Sequence, residues 1–175
     1  MIRLPVFLLI VLQLFISRPS DAQVATEKAS VTSMNGVPVY TSFDAFEHWL
    51  HLDNDTTYVI NFWATWCKPC VEELPYFEQL HEQFKDQKVK VVLVSLDFKR
   101  DIERKLLPFI ATKQLKSAVV VLADSRYNDW IEKVSTQWDG AIPVTLMYKG
   151  GKREFKAEEF ANYKELKTMM EQVRG

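Results

Sequence analysis

Apolar residues follow two different periods along this chain. The runs 57-TYVINFWA-64, 89-VKVVLVSL-96 and 118-AVVVLA-123 are apolar at nearly every position and rich in β-branched and aromatic residues. Such runs predict strands buried on both faces of a sheet. Elsewhere apolar residues return every three or four positions, the helical period. Phe43, Phe46, Trp49 and Leu50 do so behind a candidate N-cap at Ser42, and Val71, Leu74, Phe77, Leu80 and Phe84 form a second stripe. Ile102, Leu106, Phe109 and Ile110 predict a helix over 101–114, a further helix follows over about 126–136, and Tyr163, Leu166, Met169, Met170 and Val173 predict one over 162–173. Pro75 lies inside the second helix, where a missing backbone donor predicts a kink. The stretch 37-VPVY-40 reads as a short edge strand, and 140-GAIPVTLMYKGGKREF-155 as a hairpin around Gly150 and Gly151, with Pro143 at its entrance. Strands alternating with helices predict parallel pairing with helical crossovers. The expected class is α/β, a central mixed sheet flanked by helices.

The first 22 residues have a different character. Arg3 precedes an apolar run from Leu4 to Ile16, interrupted by Gln13, and 20-SDA-22 resembles a small-residue cleavage site. The pattern predicts a cleaved signal peptide over 1–22; a membrane anchor would need roughly 20 consecutive apolar residues. Residues 23–36 are polar, small and aperiodic, which predicts a flexible linker. This leaves one domain over 37–175, in keeping with 175 residues of which 47% are apolar. A net charge of -1 gives no electrostatic case for nucleic-acid binding.

Export changes the meaning of the only two cysteines, Cys67 and Cys70, because a disulfide persists outside the cytoplasm. A bridge across three residues closes a tiny loop and removes little entropy from the unfolded chain, so a purely structural staple is a weak reading. Zinc would want four ligands, and no second Cys-x-x-Cys accompanies this one, so no metal is expected. The remaining reading is a reaction centre. Cys67 falls where a strand ends and a helix begins, so unpaired backbone N–H groups and the helix dipole favour its thiolate, and Lys68 adds positive charge. Cys70 shares a side with Leu74 and Phe77 and is expected to be more buried. Cys67 is therefore the expected attacking thiol and Cys70 the resolving one.

The block FWATWCKPC, with Pro75 and the distant 142-IPVT-145, resembles the thioredoxin superfamily, and within it the exported TlpA/ResA-like thiol-disulfide oxidoreductases. The resemblance covers roughly residues 37–175. It implies a thioredoxin-like fold with a βαβ insertion at about 100–123, and a cis bond before Pro143, which would face the cysteines. Trp66, Ile142 and Pro143 are then expected to meet the substrate, the Ile142 backbone pairing with an extended segment. Thioredoxins of the cytoplasm carry a buried aspartate where this chain has Asn61. Glu73 matches an acidic position of ResA-like proteins and is the expected proton acceptor, against the plainer reading of Glu72 and Glu73 as acids suited to a first helical turn.

The resemblance implies a periplasmic disulfide reductase, soluble after signal cleavage, that needs no cofactor beyond a Cys67–Cys70 disulfide. Its partners would be protein thiols and disulfides, with a membrane thiol donor supplying electrons and apocytochrome c among possible clients. A monomer is the expected state. The alternatives are a DsbA-like oxidase or isomerase, whose motif would usually carry a histidine where this chain has Lys68-Pro69, and a redox-inactive binding or metal-handling module.

Overall fold

The computed structural model describes residues 30–175; the predicted signal peptide and residues 23–29 of the predicted linker lie outside the described residues. The chain runs β1 (Val31–Met34), β2 (Val37–Tyr40), α1 (Phe43–Phe46), a 3₁₀ turn (Glu47–Leu50), β3 (Thr57–Trp63), α2 (Lys68–Phe84), β4 (Val89–Ser95), a 3₁₀ turn (Lys99–Asp101), a π-helical stretch (Ile102–Leu106), α3 (Leu107–Lys113), β5 (Ala118–Leu122), α4 (Tyr127–Val134), β6 (Val144–Lys149), β7 (Lys152–Lys156) and α5 (Tyr163–Arg174). The strands form one seven-stranded sheet in the order β1-β2-β5-β4-β3-β6-β7. Pairing is parallel from β2 through β5 and β4 to β3, and antiparallel at β1–β2, β3–β6 and β6–β7. The insertion places β5 between β2 and β4.

Every residue of β3 is buried, as its unbroken apolar run predicts, and the period of two sends successive side chains to opposite faces. Val59 and Trp63 join a core with Leu74, Phe77, Leu80 and Phe84 of α2 and Leu166, Met170 and Val173 of α5. Tyr58, Ile60 and Phe62 join a second core with Phe43, Phe46 and Leu50 and with Trp130, Val134 and Trp138, Phe43 stacking on Trp130 at 5.3 Å. The same alternation turns Asn61 toward α2, between the apolar Val59 and Trp63 of that face.

Three expectations need correction. The linker expected over 23–36 is ordered from Val31, because Asn35 (φ 48°) and Gly36 (φ 82°) make a two-residue turn that pairs β1 with β2. Consequently Val37–Tyr40 is not an edge strand; β1 covers it. The helix expected over 101–114 is α-helical only from Leu107. Pro108 has no N–H for the carbonyl of Arg104, and the turn ahead of it takes a π register. Ser42 occupies the N-cap position without a side-chain bond; the Phe43 N–H is instead taken by Asp124 Oδ2 at 3.0 Å. α2 continues through Pro75 to Phe84.

Candidate active site

The turn from β3 to α2 is short. The Cys67 N–H donates to the Ala64 carbonyl at 3.1 Å, and Cys67, with extended backbone, is the N-cap residue of α2. Its Sγ therefore faces the free N–H groups of the first helical turn, the nearest being that of Cys70 at 3.4 Å. Cys67 and Cys70 are joined as a disulfide. Burial separates the two residues only slightly: Cys70 has no exposed surface and Cys67 keeps 6%. Cys67 is thus less open than the sequence suggests, though the more exposed residue of the pair.

Ile142 and Pro143, 75 residues away in sequence, are brought to the same place. The Ile142 carbonyl lies 3.6 Å from Cys67 Sγ, and the Ile142–Pro143 bond is cis. Trp66 projects beside them with 56% of its surface exposed. Lys68 does less than expected. Its ammonium is 3.7 Å from Glu72 Oε1 on a solvated face, so much of its charge is offset by that neighbour and screened by water.

Glu73 is the buried acid of this site, at 2% exposure. Each carboxylate oxygen has one donor: Asn61 Nδ2 to Oε1 and the Phe160 N–H to Oε2, both at 2.9 Å. Burial pushes its pKa from the ordinary 4.5 up to about 7, against the pull of those two hydrogen bonds. Glu159 adds to the rise and Lys156 opposes it. A carboxyl that exchanges its proton near neutrality therefore sits one turn along α2 from Cys70. Glu72, by contrast, is exposed and paired with Lys68.

Two features are absent from the sequence reading. Asp97, 1% exposed, accepts hydrogen bonds from the Thr65 N–H (3.0 Å), the Thr65 hydroxyl and the Ser95 hydroxyl (2.8 Å). It ties the end of β4 to the turn that carries Cys67. Beside Ile142, an apolar cavity of about 210 Å³ is lined by Trp66, Leu96, Phe98, Tyr127, Ile131 and Trp138, among others. Trp66 and Phe98 stack at 6.3 Å, and Trp138 directs its N–H to the Ala141 carbonyl at 2.7 Å, leaving ring surface toward the cavity. Three of the four exposed large apolar residues among those described line this one depression: Trp66, Phe98 and Tyr127. Only the exposed aromatic flanks of the turns, such as Phe98, could have hinted at it from sequence.

With this geometry in view, comparison with known proteins assigns the chain. Residues 50–148, more than half its length, match the AhpC/TSA family. The chain belongs to this family. The matching segment includes β3, both cysteines, Glu73, Asp97, Ile142 and Pro143, while the Phe160 N–H that Glu73 accepts lies beyond it. A thiol-disulfide oxidoreductase ResA of Bacillus cereus is 34% identical over 94 residues, 53% of this chain and 49% of the relative. The ResA of Geobacillus kaustophilus is 37% identical over 73 residues, 41% of this chain and 42% of the relative. The chain thus spans less than half the length of either relative. A secreted thiol-disulfide isomerase from Corynebacterium glutamicum superposes with a TM-score of 0.57 at 17% identity, covering 69% of this chain and 72% of that one. At that identity the likeness establishes the fold alone, and the fold is thioredoxin-like, as the sequence resemblance implied.

Proposed function

We propose that this AhpC/TSA-family chain is an exported thiol-disulfide oxidoreductase that reduces disulfides in extracytoplasmic proteins. One observation carries the reading: a Cys67–Cys70 disulfide at a helix N-terminus, with Cys67 at the N-cap and Cys70 fully buried inside the first turn. The thiol-disulfide oxidoreductase names of its ResA relatives support the chemistry, and the signal-like pattern of residues 1–22 supports export.

In the reduced protein the Cys67 thiolate, held by the N-terminal N–H groups of α2, attacks one sulfur of a client disulfide. A Cys67–client S–S bond forms, and the other client sulfur leaves as a thiolate and takes a proton from water. Glu73 then accepts the Cys70 proton, and the Cys70 thiolate attacks Cys67 Sγ. The mixed disulfide breaks, the second client sulfur departs as a thiolate and takes the proton that Glu73 received from Cys70, and Cys67–Cys70 closes. Two electrons pass from the protein to the client, with one proton from water and one from Cys70; a dithiol donor restores the reduced protein, and no further cofactor takes part. Trp66, the Ile142 backbone and Pro143 receive the client chain, which the Phe98 and Tyr127 walls of the adjoining cavity extend.

The direction follows from how strongly the thiolate is held. Cys67 has the helix terminus but no histidine in its motif, and Lys68 is offset by Glu72. Modest stabilisation puts the potential near the thioredoxin value of about -270 mV and far from the DsbA value of about -120 mV. The test is dithiol-driven insulin reduction beside the Cys67→Ser/Cys70→Ser double variant, with the potential measured against glutathione. Turnover lost in the double variant and a potential of roughly -250 mV or lower are expected. A value above roughly -180 mV would reverse the direction and favour an oxidase or isomerase.

A further inference from the structure

Asn61 is fully buried, and only half of its amide is used. Nδ2 donates to Glu73 Oε1 at 2.9 Å and lies 3.1 Å from Thr145 Oγ1 and 3.5 Å from the Val144 carbonyl. Oδ1, by contrast, is buried with no hydrogen-bond partner. Buried side-chain oxygens are rarely left this way, and one that is asks for a reason. The arrangement suits an ionised Glu73, which can only accept. A protonated Glu73 presents an O–H and needs an acceptor, and rotating the Asn61 amide by half a turn exchanges its two ends. Oδ1 then occupies the Nδ2 position, within reach of both Glu73 Oε1 and the Thr145 hydroxyl, and the long bond to the Val144 carbonyl at 3.5 Å is given up. One unpartnered amide atom is traded for the other.

We propose that Asn61 is the positioning residue for Glu73: its amide donates to the carboxylate and turns over to accept from the carboxylic acid. The proposal rests on the reading of Glu73 as proton acceptor for Cys70. A neutral amide serves both states, whereas an aspartate at this position would place a second negative charge beside the first. Thr145, the second residue after Pro143, completes the arrangement from β6 and links Glu73 to the strand that begins at the client-facing loop. The charged groups acting on Glu73 are Glu159 and Lys156, from the segment around Phe160. β3 and β6 contribute the neutral groups Asn61 and Thr145, and α5 turns Leu166 and Met170 toward this core.

The test follows the Glu73 carboxyl by ¹³C NMR in the oxidised protein, in which neither cysteine titrates; the signal is assigned with Glu73→Gln. The wild-type midpoint is expected at about 7. Asn61→Val removes both bonds, and because the bond to the ionised carboxylate is the stronger of the two, it raises the midpoint, by up to about one unit, tenfold in proton affinity. Asn61→Asp, close to isosteric, gives a coupled pair whose second proton is lost more than about one unit above the wild-type midpoint. If Asn61→Val does not fold, Asn61→Asp decides. A Glu73 midpoint unchanged in the folded variants overturns the positioning role. Contacts between the Asn61 amide protons and Thr145 in wild-type NOE spectra should be strong above the midpoint and lost below it; contacts that persist at both pH values overturn the turning amide. Insulin reduction read alongside separates the two ideas. A wild-type protein without exchange activity refutes the proposed function, while the titration still reports on Asn61.

Discussion

Glu73→Gln tests the buried carboxyl through its effect on stability, separately from any activity. In the folded protein burial raises the group to about 7 from the ordinary 4.5. A carboxyl whose folded pKa lies above its unfolded value keeps its proton longer in the folded state. Wild-type stability should therefore fall as pH rises from the ordinary carboxyl range toward 7 and level off above it. With 1.36 kcal/mol per pKa unit, the loss between pH 5 and pH 8 is about 2 to 3 kcal/mol. Glutamine has nearly the same shape, can accept the Phe160 N–H and does not titrate. Every other ionisable group is common to the two proteins, so their difference isolates Glu73. Urea unfolding of both oxidised proteins across this pH range should show the variant gaining on the wild type by that amount as pH rises. If the two stability curves run parallel from pH 5 to pH 8, the carboxyl does not ionise under burial as the geometry requires, and the proton-relay role falls with it.

Cys70→Ser should accumulate mixed disulfides through Cys67, whereas Cys67→Ser should not, because Cys70 has no exposed surface; equal trapping on non-reducing gels would remove the role assignment. Pro143→Thr should lower kcat/KM for a protein client by about tenfold, the worth of roughly one hydrogen bond, while alkylation of reduced Cys67 stays near wild type. Asp97→Ala leaves the half-buried Thr65 N–H and hydroxyl and the buried Ser95 hydroxyl without their acceptor and should cost about 3 kcal/mol in urea unfolding, with Asp97→Asn costing much less.

What the sequence determined by itself is what depends on near neighbours. The unbroken run of β3, the stripe of α2 and the three-residue spacing of Cys67 and Cys70 are local, so period and spacing were enough to place the disulfide at a helix N-terminus and to rank the two sulfurs. The β1–β2 turn is equally local: Asn35-Gly36 between 31-VTSM-34 and 37-VPVY-40 is a hairpin signal. The π register before Pro108 follows from one missing donor, but apolar spacing alone could not distinguish it from α-helix. Glu73 could be singled out by resemblance; its burial and its two hydrogen bonds could not. Those come from Asn61, twelve residues before it, and the Phe160 N–H, 87 residues after it. The Asp97 link to Thr65 and the gathering of Trp66, Phe98, Tyr127 and Trp138 have the same origin. A carboxyl's pKa and a surface's shape are set by whatever occupies the few ångströms around them, and sheet order, not chain order, decides what that is.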